Sequence, residues 1–286
     1  WRHVHHFYWG CGFDVGAGGR MTVVLMEGFD HANPSIKGWQ AFGDYSNSGF
    51  TGTREASNGG YSWQFGAHTD IFIFNADSYL RKFAPSTYTE VVMGFGLLAS
   101  FPNAYFGQWL GGIIDGVGNL LAYMYMTNDF KPHLVAGGGD WQGTTAIVNG
   151  TWNYYEIRVK FNGASSKAEM RLNGGAYITE QTCTFGGGTT AGGIQFHQHR
   201  ENFTFQDGVA SHDDVYLVDC TTGAAPVNTF LGDSVVKTLR PDGVGSTTSF
   251  SRNTGASNWE ATDDDTPDDD TTYVASNTVG HVDTYE

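Results

Sequence analysis

Hydrophobic and polar positions along the chain alternate with a period of two, in short runs closed by Gly, Asn, Asp or Pro. A period of two sends successive side chains to opposite faces of a strand. The runs predict strands at about 22–27, 61–65, 71–74, 78–83, 87–98, 105–114, 119–127, 132–136, 144–148, 151–161, 167–173, 192–199, 211–219 and 233–240. No long stretch carries the 3.6-residue spacing of an amphipathic helix. Many strands at short intervals, without helices between them, predict an all-β sandwich rather than an α/β fold.

The clearest element is a hairpin, TWNYYEIRVKF followed by KAEMRLNGG. Tyr155, Ile157, Val159 and Phe161 share one face of its first arm, and Ala168, Met170 and Leu172 one face of its second. Glu156, Arg158, Glu169 and Arg171 fall on the opposite face, which predicts cross-strand charge pairs turned to solvent. Asn162-Gly163 and Asn173-Gly174 supply turn residues that tolerate positive φ. Two segments, YTEVVMGFGLLASF and NLLAYMYM, are apolar on both faces and are expected in the middle of the sandwich, covered on both sides. Near residue 220 the dense strands give way to polar, turn-rich sequence. The organisation expected is therefore residues 1–20 as an arm or a non-native extension, 21–220 as the sandwich, and 221–286 as a less regular acidic extension.

Composition narrows the class. The chain has 286 residues, of which 40 are Gly and 15% are aromatic, while only 16% are charged. Disorder in bulk is excluded by the aromatics, and a coiled coil by the scarcity of charges. The net charge of −15 opposes nucleic-acid binding, which needs a basic face. No apolar run reaches the ~18 residues of a membrane helix. Three cysteines, Cys11, Cys183 and Cys220, form no metal-binding spacing. A Cys183–Cys220 bridge and two small buried thiols are both compatible with the sequence.

The hairpin resembles the W-x-x-x-E-[IV]-x-[VF]…N-G core of concanavalin A-like (LamG-type) jelly rolls, with Trp152 and Glu156 in the leading positions. The later run HDDVYLVDC…NTFLGD…LRPDGVG…ASNWEATDDDTPDDDTTYVAS is similar to a signature shared by a group of tailed-bacteriophage virion proteins. The likeness covers roughly residues 21–286 and is most specific from Asp213 to Asp283. It implies a structural component on the surface of a phage particle, as capsid decoration or as a tail or fibre protein. The implied partners are other virion proteins and further copies of the chain, a trimer being favoured. A lectin-like, receptor-recognising module of a tail protein that binds host surface glycan is the alternative. Members of the group often carry further sequence, so a missing C-terminal module is an open reading.

A glycosidase needs two carboxylates about 5–10 Å apart. Laminarinase-type sandwiches place them as E-x-D-x-x-E on one strand, and no such run exists here: Glu90, Glu156 and Glu169 stand singly. The chain is therefore expected not to be an enzyme. His197 and His199 share one strand face and could hold a metal if a third ligand existed; solvent-facing histidines are the plainer reading. Asp213 and Asp214 open a strand, and by likeness to LamG-type domains are candidate Ca²⁺ ligands. Asp263, Asp264, Asp265, Asp268, Asp269 and Asp270 form the densest charge and are a candidate interaction surface, against the default of a solvated acidic loop. Trp39, Trp63, Trp109, Trp141 and Trp259 are either sugar-stacking platforms or core and interface anchors.

Overall fold

The fold comes from a computed structural model that describes residues 3–5, 23–27, 39–42, 49–52, 61–65, 78–100, 108–127, 129–198, 209–221, 229–236, 246–247, 249, 251–253, 257–258 and 274–275. The chain divides into two compact units. The first takes in residues 1–5 and 9–236, the second residues 6–8 and 237–286.

In chain order the strands of the first unit are β1 (His3–His5), β2 (Val23–Glu27), β3 (Gln40–Phe42), β4 (Gly49–Gly52), β5 (Tyr61–Phe65), β6 (Ser78–Tyr88), β7 (Glu90–Ser100), β8 (Gln108–Ile114), β9 (Leu120–Met126), β10 (Pro132–Ala136), β11 (Gly139–Gln142), β12 (Trp152–Lys160), β13 (Ser166–Leu172), β14 (Gly175–Cys183), β15 (Ala191–Gln198), β16 (Val209–Asp219) and β17 (Ser234–Val236). Two antiparallel sheets result. One has seven strands in the order β11-β10-β9-β8-β15-β6-β3. The other has eight, in the order β14-β13-β12-β7-β16-β5-β4 with β2 also on β16. This is a jelly-roll β-sandwich: the alternation predicted the all-β sandwich, and the resemblance to LamG-type domains implied the jelly roll. In the second unit β18 (Ser251–Arg252) pairs with β19 (Val274–Ala275).

The core lies between the sheets. Phe95 on β7 stacks with Tyr155 on β12 at 5.7 Å, and meets the edge of Phe196 on β15 at 5.5 Å. Trp39 closes on Phe196 at 6.0 Å. All four rings are buried, and full burial of one such side chain contributes about 2–3 kcal/mol. Gly111 on β8 faces the same aromatics; a side chain there would press on Phe95 and Phe196.

The strand pattern departs from expectation in particular places. Residues 144–148 form no strand: the Gly143 and Ile147 amides are drawn onto Pro132 O and Phe130 O, which closes a loop and leaves Ile147 as its single core anchor. Strand β14 has no clear counterpart in the alternation, because it is an edge strand that buries only Ile178 and Cys183 among polar neighbours. Strands β3, β4 and β11 are three or four residues long and too short to show a period. The expected strand at 71–74 lies outside the described residues. As expected, β7 is covered on both faces. By contrast β9 buries Ala122, Met124 and Met126 and leaves Tyr123 and Tyr125 half-exposed on the other face.

The largest correction concerns the outward face of the hairpin. The pairs Glu156↔Arg171 and Arg158↔Glu169 do stand opposite one another across β12 and β13. Yet Glu156 is fully buried, because residues 229–236 fold back over this face. Phe230 and Leu231 join Val92, Tyr154, Tyr216, Val218 and Cys220 in a second apolar cluster outside the sandwich core.

Candidate functional site

The face of the seven-stranded sheet turned away from the core collects, among the described residues, polar and aromatic side chains that the core does not use. The register aligns Arg81 (β6), Gln195 (β15), Gly112 (β8), Tyr123 (β9), Val135 (β10) and Asp140 (β11) in one row across six strands. A second row runs Tyr125, His133, Gln142, with the backbone of Trp109 opposite Tyr125. The intervening residues Leu80, Ile194, Phe196, Met124 and Leu134 point the other way, into the core.

At one end Arg81 donates from Nε to Gln40 Oε1 at 3.1 Å. Its guanidinium sits over the rings of Tyr79 and Phe83, at 5.3 and 5.0 Å. Gln195 beside it is a buried amide. Gly112 leaves the middle of the row without a side chain. Its own place is forced, since a Cβ would strike Ala122 O and the Tyr123 side chain.

At the other end Asp140 joins two rings. The Tyr125 hydroxyl donates to Oδ2 at 2.7 Å, and His133 Nδ1 lies 2.9 Å from Oδ1. The Tyr125 and His133 rings stack at 4.4 Å, with Tyr123 6.5 Å from Tyr125. Burial, and then the bond to Asp140, push the Tyr125 hydroxyl well above its usual range, so it stays a donor. Below them Gln142 Nε2 donates to Asp129 Oδ2 at 2.8 Å. Asp129 also accepts from the Thr127 hydroxyl at 2.6 Å, the main cause of its lowered pKa. The arrangement offers a donor end, two rings and an acceptor end on a rigid floor, which suits a polar, ring-containing chain laid across the strands.

The residues singled out from the sequence lie elsewhere. Asp213 and Asp214 are buried at a bulge in β16, where its outer neighbour changes from β5 to β2. Asp214 has φ +51°, and its amide donates to Asp213 Oδ1 at 2.8 Å. Among the described residues no group of three or more His, Cys, Asp or Glu is placed to hold a metal ion. Asp263, Asp264, Asp265, Asp268, Asp269 and Asp270 lie outside the described residues, as do His199, Trp259 and Cys11. The backbone of His197 stands opposite Tyr79. Trp39 is a core anchor and Trp141 packs partly against the core. Cys183 and Cys220 are free, buried thiols. Glu90 and Glu169 both bind Arg158, and Glu90 also approaches Lys160 Nζ at 3.4 Å.

The sequence pattern does not mark Arg81, Gln195, Tyr123, Tyr125, His133 or Asp140 as site residues. The Y-M-Y alternation of β9 carried the signal, but it read as a strand covered on both sides.

No protein-family model and no curated protein matches the chain. Solved structures do. An alginate lyase, Aly36B, determined with an alginate trisaccharide, has 15% identity over 62% of this chain and 87% of its own, with a TM-score of 0.45. A sialidase has 11% identity over 70% of this chain and 19% of its own, with a TM-score of 0.47. A botulinum neurotoxin type C structure, described as dependent on two ganglioside molecules for cell entry, has 9% identity over 70% of this chain and 44% of its own, with a TM-score of 0.45. These likenesses are of fold and assign no residue a role. One expectation is nevertheless corrected by them, that the chain is not an enzyme. A lyase and a sialidase stand among the similar structures, so lacking an E-x-D-x-x-E run does not exclude catalysis.

Proposed function

We propose that the chain is a component of the surface of a phage particle, and that the open face of its seven-stranded sheet recognises glycan. The placement on a particle rests on the signature between Asp213 and Asp283; partner virion proteins and a homotrimer belong to the same reading. Glycan recognition rests on one observation, the row from Arg81 to Asp140. Five strand intervals at ~4.8 Å make it roughly 24 Å long, enough for several sugar rings. It carries planar donors, half-exposed tyrosines and carboxylate acceptors, the groups that hold sugar hydroxyls and faces.

The experiment is an array of host surface polysaccharides probed with the protein and with Tyr123→Ala and Arg81→Gln, scored for binding and for release of shorter products. The expected result is binding to at least one polysaccharide that falls tenfold or more in both variants. Binding that neither substitution changes would overturn the assignment of this face. Antibody labelling of intact particles tests the placement separately; unlabelled particles that contain the protein would place it inside.

A further inference from the structure

The residues of the two sequence motifs, distant along the chain, converge on one carboxyl group. Glu156 on β12, Gly94 on β7 and Tyr216 on β16 stand in one register row. Gly94 has no side chain, and a Cβ there would overlap the Tyr216 ring. The ring can therefore lie across β7, and its hydroxyl donates to Glu156 Oε1. The returning segment 229–236 then closes over the pair. The Gly232 amide donates to the same Oε1 at 2.8 Å, and the Leu231 amide donates to Tyr216 Oη at 3.3 Å. Phe230 packs under the Arg171 guanidinium at 4.1 Å. Both donors use one oxygen. Oε2 is buried and has no hydrogen-bond partner.

That asymmetry decides which form of the acid the site prefers. An ionised carboxylate spreads its charge over both oxygens, and here half of it would face no donor in an apolar pocket. A proton on Oε2 removes the charge and leaves Oε1 free to accept. Among the described residues the charged group acting on Glu156 is Arg171, opposite it on β13; Tyr216 donates from β16, the Gly232 amide from the returning segment, and β7 presents Gly94 in the same row. Arg171 alone is a cation, and it is half turned to the Phe230 ring. Burial outweighs it and the hydrogen bonds from Tyr216 and the Gly232 and Leu231 backbone, so the Glu156 pKa lies above the usual carboxylate range.

We propose that Glu156 is a proton-controlled latch: its neutral form holds residues 229–236 against the eight-stranded sheet, and loss of the proton releases them while the sandwich stays folded. The sign follows from the raised pKa. The latch contributes its full stability below the ordinary carboxylate range and loses it as pH rises through the value in the folded chain. Release would uncover Cys220, which shares the apolar cluster with Phe230 and Leu231, but not Cys183, which lies in the core between the sheets.

Hydrogen–deuterium exchange on the full chain between pH 5 and 9, corrected for intrinsic rates, reads the latch directly. Protection of residues 229–236 should fall at least tenfold over that range while β12 and β7 keep theirs. In Glu156→Gln, which cannot ionise, the protection should not vary with pH. Labelling by a neutral thiol probe gives a second readout, with the Cys220-to-Cys183 ratio rising with pH in the wild type. Tyr216→Phe, which removes one donor and keeps the ring, should raise exchange at 229–236 at every pH. Protection that stays constant with pH in the wild type, or falls equally in Glu156→Gln, overturns the proposal. Should Glu156→Gln fail to fold, the wild-type exchange profile and the thiol ratio decide alone.

Discussion

Single residues settle much of this molecule by being buried in one protonation state. His212 on β16 has no exposure, and its Nε2 lies 2.7 Å from Leu110 O across the sandwich. It is packed between Phe95 and Phe196, at 6.0 and 4.4 Å. Burial lowers its pKa to about 3, from an unfolded value near 6.5. A depressed pKa means that the unfolded chain takes up the proton first, so stability present above pH 6.5 drains away as pH falls toward 3. His212→Gln removes that titration. Thermal unfolding is expected to show the wild type losing Tm relative to His212→Gln between pH 6.5 and 5, before most carboxylates titrate. Parallel curves over that interval would contradict this. Asn173 shows the opposite degree of legibility. Its turn role was readable from Asn-Gly, and it does adopt φ +50°. Its second role was not readable: Oδ1 accepts the Tyr154 amide at 2.8 Å and Nδ2 donates to Asn153 Oδ1 at 3.0 Å, contacts that exist only once β12 and the turn meet.

At the scale of elements, the hairpin β12–β13 shows why a period of two finds a strand but not its surroundings. Alternation placed Glu156, Arg158, Glu169 and Arg171 on one face correctly. It held no information on residues 229–236, which arrive from 58 or more positions away (229 − 171) to cover Glu156. The outward face of the seven-stranded sheet failed to stand out for the same reason in reverse, since its aromatic residues looked like core. The uncovered half of the hairpin is an ion network. Arg158 donates to Glu90 from Nε at 2.9 Å and again from a terminal nitrogen, and reaches Glu169 at 3.4 Å. Glu90 is mostly buried while Arg158 keeps about a third of its exposure. Removing Arg158 leaves a largely desolvated carboxylate with Lys160 as its remaining cation. Arg158→Leu is expected to cost about 1–3 kcal/mol in urea unfolding. The double variant with Glu90→Gln should recover part of that loss, and strictly additive costs would show the pair to be uncoupled.

The whole first unit has two apolar layers of unequal depth. The main core is enclosed by both sheets, whereas the second cluster is closed by eight residues of chain. Damage should therefore stay local. Leu231→Ala deletes a side chain that is nine-tenths buried in the outer layer, which ordinarily costs about 2–3 kcal/mol, less where the site can collapse. The expected outcome is faster exchange at 229–236, with β12, β7 and Met124 in the core still protected. Uniform loss of protection would mean that the two layers unfold as one.

Strand β16 is completed along its far side by two strands from near the start of the chain, β5 beside Ala210–His212 and β2 beside Val215–Val218. Glu27 and its partner Val215 are separated by about 190 residues, the kind of non-local pairing that slows folding. On a ribosome adding roughly 5–20 residues per second, β2 waits on the order of 10–40 s for β16, its neighbour among the described residues, to be made. Throughout that interval the apolar run Val23-Val24-Leu25-Met26 is an unpaired edge on a nascent chain. The bulge at Asp213–Asp214 thus has a price in time: it lets one late strand complete two early ones, and β2 stays an exposed edge until that strand arrives.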